Sequence, residues 1–492
     1  MKQMIKTLIF SATVLLLLNG FGVLLKTKRR VETAVDNYHD EHEGFYDLEK
    51  DTVDVLYIGS SHSFSSISPE DIYKKYGITG YVQGSSCQKV WQSYYYLEEF
   101  LYTQHPKIVI LDTFMVLDGG AQSEPFNREA IDKMRMSPAK LKSAWMAKRM
   151  NVEEEDFISY IFPALRYHDR WKELSDQDYK YIFMPRTSSA KGFLPRQGSV
   201  AAEFNIKDYN NKTEVQTLNG TCADYLNKIK KLCDTNGMEF ILVKWPTCLW
   251  SLSSSLTIEQ WANENDVRFL DFNANKDLRA AVNIDWNVDS LDGGNHLNYE
   301  GAMKMTDWMG AYLTTNYVFE DKRNNENYMQ WDEDYIYYKK CVKNAELKSQ
   351  NEFDMYLNNL EEEDYLVVVS FNGVKDNVDD QEKNKILKIG IPEKILEHQN
   401  ESNNLTIINN GKLVYSQYGE NVIQYTNCIC GFDLDVTSET KQGGGSLSCI
   451  YERSQKAIDQ SGIQFIVFDP VTDKYVDTSV WGMDESGKFN RM

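Results

Sequence analysis

Residues Val53–Ile72 read VDVLYIGSSHSFSSISPEDI. A strongly apolar run ends at Gly59, and a turn holding two serines and a histidine leads towards a helix that Ser68 caps and Pro69 opens. So apolar a run reads as a strand covered on both faces, which is the condition of strands in parallel sheets. The alternation continues outward. Gly80–Gly84 (GYVQG), Lys107–Phe114 (KIVILDTF), Met238–Trp245 (MEFILVKW) and Val267–Asn273 (VRFLDFN) read as further strands. Lys89–Gln104, Thr221–Gly237 with its terminal glycine cap, Thr257–Asp266 and Glu300–Leu313 read as the helices between and after them. The expected fold is therefore α/β, a three-layer parallel sheet with helices on both faces.

The rhythm breaks over about residues 117–215, which are helix-prone, aromatic and mixed in charge, and read as a helical insertion beside the sheet. The sheet domain is expected over 50–318, an acidic, tyrosine-rich linker over 319–362, and a separate β-rich, sandwich-like domain over 363–492. The last rests on YLVVVSF, LTIINNGKLVYSQ, SLSCIYE and IQFIVFD with their NNG and GGG turns. No internal repeat is found.

At the other end, residues 1–30 read as a transmembrane signal anchor. Thr7–Leu25 is uncharged and mostly apolar, and at ~1.5 Å per residue it spans roughly the 30 Å of a bilayer core. No small-residue cleavage site follows it, so it is expected to stay attached. Lys2 and Lys6 precede the segment, but Lys26, Lys28, Arg29 and Arg30 follow it, and a strict charge count would keep the bulk of the chain inside the cell.

The 492 residues carry a formal net charge of −20, which disfavours a nucleic-acid partner. Eight cysteines are too few for a disulfide framework. Cys222 and Cys233 lie too far apart along one helix to bond, whereas one pair among Cys428, Cys430 and Cys449 is close enough in sequence to be oxidised. No metal-ligand spacing appears, and neither metal nor cofactor is expected.

A serine hydroxyl becomes nucleophilic when a base takes its proton, and a turn from a buried strand into a helix exposes such an oxygen beside backbone N–H groups able to hold an oxyanion. On the turn alone, Ser60 or Ser61 fits. His62 is a poor base for either, because adjacent side chains diverge; packing or lining a pocket suits it better. A second histidine lies in DSLDGGNHLNYEGAMKM, where Asp289, Asp292 and His296 precede the last helix of the α/β unit. A carboxylate there can fix the histidine tautomer while the imidazole accepts a proton.

GSSHS together with HLNYEGAMKM resembles the first and last blocks of the SGNH (GDSL-like) hydrolases, over about Asp54 to Leu313. The resemblance implies Ser61 as nucleophile, His296 as base, Asp292 as the orienting acid with Asp289 in reserve, and the N–H groups of Ser61 and Gly84 as oxyanion donors. Two departures stand out. Asp292 lies four residues before the histidine instead of three, and LDTFMV replaces the family's Gly-x-Asn-Asp third block. Ser60 occupies the place where the family usually has aspartate.

With the anchor at residues 7–25, the chain resembles the membrane-anchored bacterial branch that includes proteins of teichoic-acid D-alanylation and polysaccharide O-acetylation. That resemblance implies a single-pass cell-membrane protein with most of the chain outside the cytoplasm. It further implies a serine esterase or O-acyltransferase acting on acyl esters of a cell-envelope glycan, beside a membrane-bound O-acyltransferase; the alternative is a catalytically weak glycan-binding scaffold. YIFPALRYHDRW is similar to a segment of such proteins, which offers His168, Arg170 and Trp171, with His62, as substrate contacts. Trp91, Tyr94, Tyr95, Tyr96, Trp245 and Trp250 are further candidates for stacking on sugars. SGIQFIVFDPVTDKYVDTSVW resembles the end of the interleukin-like (ILEI) β-sandwich, which implies partner or carbohydrate binding.

Overall fold

The computed structural model describes residues 2–26, 44–150, 156–174, 178–179, 188–204, 214–372, 380–398, 403–441, 444–484 and 488–492. The chain divides into two compact units, Met1–Tyr338 and Lys339–Met492.

The first unit begins with α1 (Lys2–Leu25), whose apolar length and composition suffice to cross a membrane. Then come β1 (Val55–Gly59), α2 (Ser61–Ser66), α3 (Pro69–Tyr76), β2 (Gly80–Gly84), α4 (Val90–Phe100) and β3 (Ile108–Asp112). Among the described residues of the insertion follow α5 (Glu124–Ile131), α6 (Pro138–Met150), α7 (Phe157–Ile161) and α8 (Ala164–Tyr167). The alternation resumes with α9 (Gly220–Thr235), β4 (Glu239–Lys244), α10 (Leu252–Glu264), β5 (Arg268–Asp271), α11 (Lys276–Val282) and α12 (Tyr299–Asn316).

The five strands form one sheet in the order β2-β1-β3-β4-β5, and every pair is parallel. Side chains alternate across a strand, and the core divides accordingly. Leu56, Ile58, Val109 and Leu111 join one cluster with Leu97 and Phe100 of α4 and Leu226 and Ile229 of α9. Val55, Tyr57, Ile108 and Ile110 join the other with Met305, Met309 and Leu313 of α12. This is the three-layer arrangement that the unbroken hydrophobicity of VLYIG and IVILD requires. Strand order reverses between β1 and β3, and open α/β sheets bind ligands beyond the carboxyl ends of the strands at such a point.

Residues 319–362, expected as a linker, are largely helical: α13 (Met329–Ser349) and α14 (Phe353–Glu362) fill most of the stretch. Trp331 joins the first unit's core, and Phe353, Tyr356, Leu357 and Leu360 build that of the second. The apolar residues of α13 are tyrosines and a tryptophan scattered among charges, so no clear stripe marks it as a helix.

The second unit continues with β6 (Leu366–Asn372), α15 (Asp380–Lys388), α16 (Glu393–Glu397), β7 (Asn403–Asn409), β8 (Lys412–Gly419), β9 (Ile423–Ile429), β10 (Phe432–Lys441), β11 (Gly444–Tyr451), β12 (Ser454–Gln455), β13 (Gly462–Asp469), β14 (Lys474–Met483) and β15 (Phe489–Arg491). Two antiparallel sheets result, β15-β14-β13-β6-β7-β8 and β12-β11-β10-β9. On β6, Leu366 and Val368 face the smaller sheet's Phe432, Leu434 and Val436. Val367, Val369 and Phe371 pack with Tyr356 of α14 and Ile395 of α16 instead. The sandwich thus carries a helical layer on its outer face that strand patterning did not announce.

All eight cysteines are free. Cys428 on β9 lies opposite Asp433, and Cys449 on β11 lies opposite Val436, with β10 between them. Two strand spacings come to roughly 9.6 Å, beyond the reach of a disulfide. Cys428 and Cys449 are therefore too far apart to pair, and Cys430 is free as well.

Candidate active site

Every component of the site sits at the carboxyl end of the parallel sheet. Gly59 ends β1 at φ 150°, where a Cβ would lie 2.6 Å from that of Asp112. Only glycine lets the chain leave the strand so close to β3. Ser60 then caps α2: its Oγ accepts from the His62 amide at 3.3 Å, while its carbonyl accepts from the Ser63 amide at 2.9 Å. The Ser60 hydroxyl itself donates to Asp112 Oδ2 at 2.5 Å. Ser60 is thus buried and occupied, and of the two serines it is Ser61 whose hydroxyl is left partly exposed.

Ser61 is the half-buried first residue of α2. Its Oγ lies 2.8 Å from His296 Nε2, across 235 positions of sequence. His296 Nδ1 lies 2.7 Å from Asp292 Oδ2, and the other oxygen of that carboxylate accepts the histidine's own amide at 2.8 Å. The unusual four-residue spacing is accommodated by Gly293 and Gly294, both left-handed at φ 74° and 93°, which curl the loop back on itself. Asp289 is engaged elsewhere: its buried carboxylate accepts from the Asp285 amide at 2.7 Å and from Lys304 Nζ at 2.6 Å.

The loop is clasped from within and from the side. Leu291 N–H donates to the His296 carbonyl, and Asn298 N–H donates to that of Asp289, each at 3.0 Å. Asn298 then caps α12, accepting from the Gly301 amide at 3.1 Å. The Gly294 carbonyl accepts from the Cys248 amide at 2.7 Å and the Thr247 hydroxyl at 3.0 Å, which ties the loop to the segment after β4.

Residues 188–204 form a strap that no sequence signal announced. It is pinned to β2 by Val82 N–H to the Lys191 carbonyl, to α2 by Leu194 N–H to that of Phe64, and to the histidine loop by Tyr299 N–H to that of Arg196. Buried Lys191 moors it further, 2.9 Å from Glu70 and also paired with Asp334. The strap therefore bridges the two halves of the site.

Electrostatics favour a neutral imidazole at the centre. Burial holds His296 below the ordinary histidine range; the hydrogen bond to Asp292 opposes this, and the Arg196 charge reinforces it. Asp292 stays ionised. Burial works against that, but the ring and amide hydrogen bonds from His296 outweigh it and hold its carboxyl below the usual carboxylate range. His62 is buried, its ring stacked on Phe114 at 3.9 Å and 4.9 Å from the ring of His296. Burial first, then the Lys244 charge, keep it neutral. At 1% exposure it has almost no surface to offer a substrate, and it serves as a wall behind His296.

Lys244, at the end of β4, escaped sequence reasoning because one lysine ending an apolar run looks like a solvated strand end. It is fully buried, donates to the Trp245 carbonyl at 3.0 Å, and lies 4.9 Å over the Phe114 ring and 4.0 Å from Asp112. Burial pulls its ammonium down to about 8 against the attraction of Asp112 and Asp271. Its place at the carboxyl end of a central strand was the available signal.

The remaining candidates fall elsewhere. Gly84 backs directly onto the turn, where a Cβ would sit 3.1 Å from the carbonyl oxygens of Gly59 and Ser60. His168, Arg170 and Trp171 lie on a short 3-10 helix, His168–Lys172, whose contacts run to α1: Arg170 donates to the Leu25 carbonyl at 2.7 Å and to that of Lys26 at 2.8 Å. Trp91, Tyr95, Tyr96, Trp245 and Trp250 are core residues with little surface for stacking on a sugar. Half-buried Tyr94 donates to Glu98 at 2.8 Å. Among the described residues, no cluster of histidine, cysteine and carboxylate side chains is arranged to hold a metal.

No protein-family model matches the chain, and no curated protein matches it. Among solved structures it is similar to a Bacteroides fragilis protein provisionally described as an acylhydrolase, at 12% identity and a TM-score of 0.26, over 56% of this chain and 94% of that one.

Proposed function

We propose that this chain is a membrane-anchored, extracytoplasmic serine esterase or O-acyltransferase of the SGNH kind, acting on acyl esters of cell-envelope polysaccharide. The observation that carries the proposal is the relay Asp292–His296–Ser61, with contacts of 2.7 and 2.8 Å that close between opposite ends of the α/β unit.

In this reading Ser61 Oγ attacks an ester carbonyl while His296 Nε2 takes its proton, and Nδ1–H donates to ionised Asp292. The tetrahedral oxyanion receives the Ser61 N–H, which as the first helical amide has no acceptor within α2, together with that of Gly84. Collapse breaks the ester C–O bond, and the alcohol leaves with the proton from His296. Water or a glycan hydroxyl then attacks the acyl-enzyme, giving His296 its proton, which returns to Ser61. A helix able to cross a membrane favours a surface-tethered acceptor, and hence transfer alongside a membrane-bound O-acyltransferase. A serine-reactive fluorophosphonate is expected to label the wild type and not Ser61→Ala; equal labelling of both would sink the assignment.

One observation favours a second reading, a glycan-binding scaffold with weak catalysis. After β3, where the family's third block would supply an asparagine donor, the Thr113 hydroxyl donates to the Val243 carbonyl at 3.2 Å and Phe114 stacks on His62. Glycan binding that survives Ser61→Ala, with cell-wall O-acetyl content unchanged in that strain, would favour the scaffold.

A further inference from the structure

The helical insertion carries an apolar and basic face beside the end of α1. α6 contains no carboxylate, and its exposed residues fall on one side. Leu141, Trp145, Lys148 and Arg149 follow the i, i+4, i+7, i+8 pattern of a single helix face, while Ala144 and Ala147 are buried behind them. Trp145 is 59% exposed, an uncommon state for so large an apolar ring. Its edge meets Phe157 of α7 at 6.0 Å, and the next residue, Ile158, is again exposed.

The face continues to α1. Gly22 of α1 approaches Pro163 so closely that a Cβ there would lie 3.4 Å from the proline ring. α8 follows with exposed Leu165, and Arg170 caps the last carbonyls of α1. Trp171, next in sequence, is 64% exposed. Exposed tryptophans, aliphatic side chains and cations beside the end of an apolar, membrane-length helix are the composition of a bilayer interface. Lys148 and Arg149 on α6 stand out against a net charge of −20, whereas on the 3-10 helix exposed Asp169 lies 3.5 Å from Lys172.

We infer that the face built by α6, α7, α8 and the 3-10 helix lies on the membrane, with Trp145 and Trp171 at headgroup depth and Lys148 and Arg149 on anionic lipid phosphates. This rests on the proposal that α1 spans the bilayer. It gives the YHDRW segment a role in lipid contact in place of substrate contact.

The full chain, reconstituted in vesicles of phosphatidylglycerol and phosphatidylcholine brominated in the upper acyl chain, provides the test. α1 contains no tryptophan, so any quenching reports the folded surface. Partial quenching is expected, in proportion to two of the ten tryptophans, and it should vanish in Trp145→Phe/Trp171→Phe. Lys148→Glu/Arg149→Glu should weaken it in anionic vesicles. Protein that floats with carbonate-washed vesicles yet shows no quenching overturns the lipid assignment and leaves the face to a protein partner. Quenching that persists in the double tryptophan variant overturns the choice of face. Protein stripped off by carbonate overturns the anchor itself, a separately readable failure.

Discussion

The two halves of the candidate site are held in different ways. The turn Gly59–His62 is fixed by the sheet: Ser60 and Asp112 are buried, and glycines on β1 and β2 let backbones approach. The loop Asp289–Asn298 is fixed by its own hydrogen bonds and by two left-handed glycines, and the Asp292 side chain is 40% exposed. Ser61 thus shares its supports with the core, whereas His296 and Asp292 depend on a clasp at the surface. Damage to the buried supports of the turn, Gly59 and Ser60, should cost stability and activity together, and damage to the loop should separate them.

The largest effect is expected for Ser61→Ala. It should abolish fluorophosphonate labelling and lower ester turnover by roughly 10⁴–10⁶-fold with little change in Tm, because the lost hydroxyl bonds only across to the loop. Asp292→Asn leaves the shape but not the charge, and should slow single-turnover acylation by about 10⁴-fold or less, again at near-constant Tm. A large loss of Tm would show that the clasp is structural after all.

Gly294→Ala probes the clasp directly. Its Cβ would meet Cys248 Sγ at 2.6 Å in a left-handed conformation, so the loop must shift. A displacement of about 1 Å should cost on the order of 10²-fold in acylation.

The pH profile is gentler. Only neutral His296 accepts a proton, and its lowered pKa keeps it neutral further into acid. Activity should fall on acidification only below about pH 6.5, the unperturbed histidine value. A half-point above 7 would contradict the burial argument. Asp289→Asn should have the smallest effect on acylation but a measurable one on Tm: loosening the Lys304 and Asp285 contacts costs about 1–3 kcal/mol. Strong loss of acylation there would move the acid from Asp292 to Asp289.

The α/β unit was legible because apolar strands and capped helices alternate in plain view, and Ser61, His296 and Asp292 because they stand in short motifs at its two ends. Residues acting from isolated positions were not. Asp112, Lys244 and Arg196 lie in unrelated segments, and only the sheet and the strap bring them near the pair. α13 and the helical layer of the second unit escaped because their apolar residues are sparse or aromatic. The stacking candidates failed for a related reason: sequence does not distinguish a tyrosine at a crevice from one in a core.

The hydrogen bond from Ser60 to Asp112 has a consequence for how such chains are found and altered. The resemblance places an acid at position 60, but here a carboxylate reaches the same turn from the neighbouring strand. A search that scores adjacent letters counts a loss, although charge has been kept in space. Positions 60 and 112 should therefore covary among relatives as a swapped pair. Restoring the familiar letters by Ser60→Asp alone would press two carboxylates together in a buried site, and only the exchange with Asp112→Ser would return a tolerable arrangement.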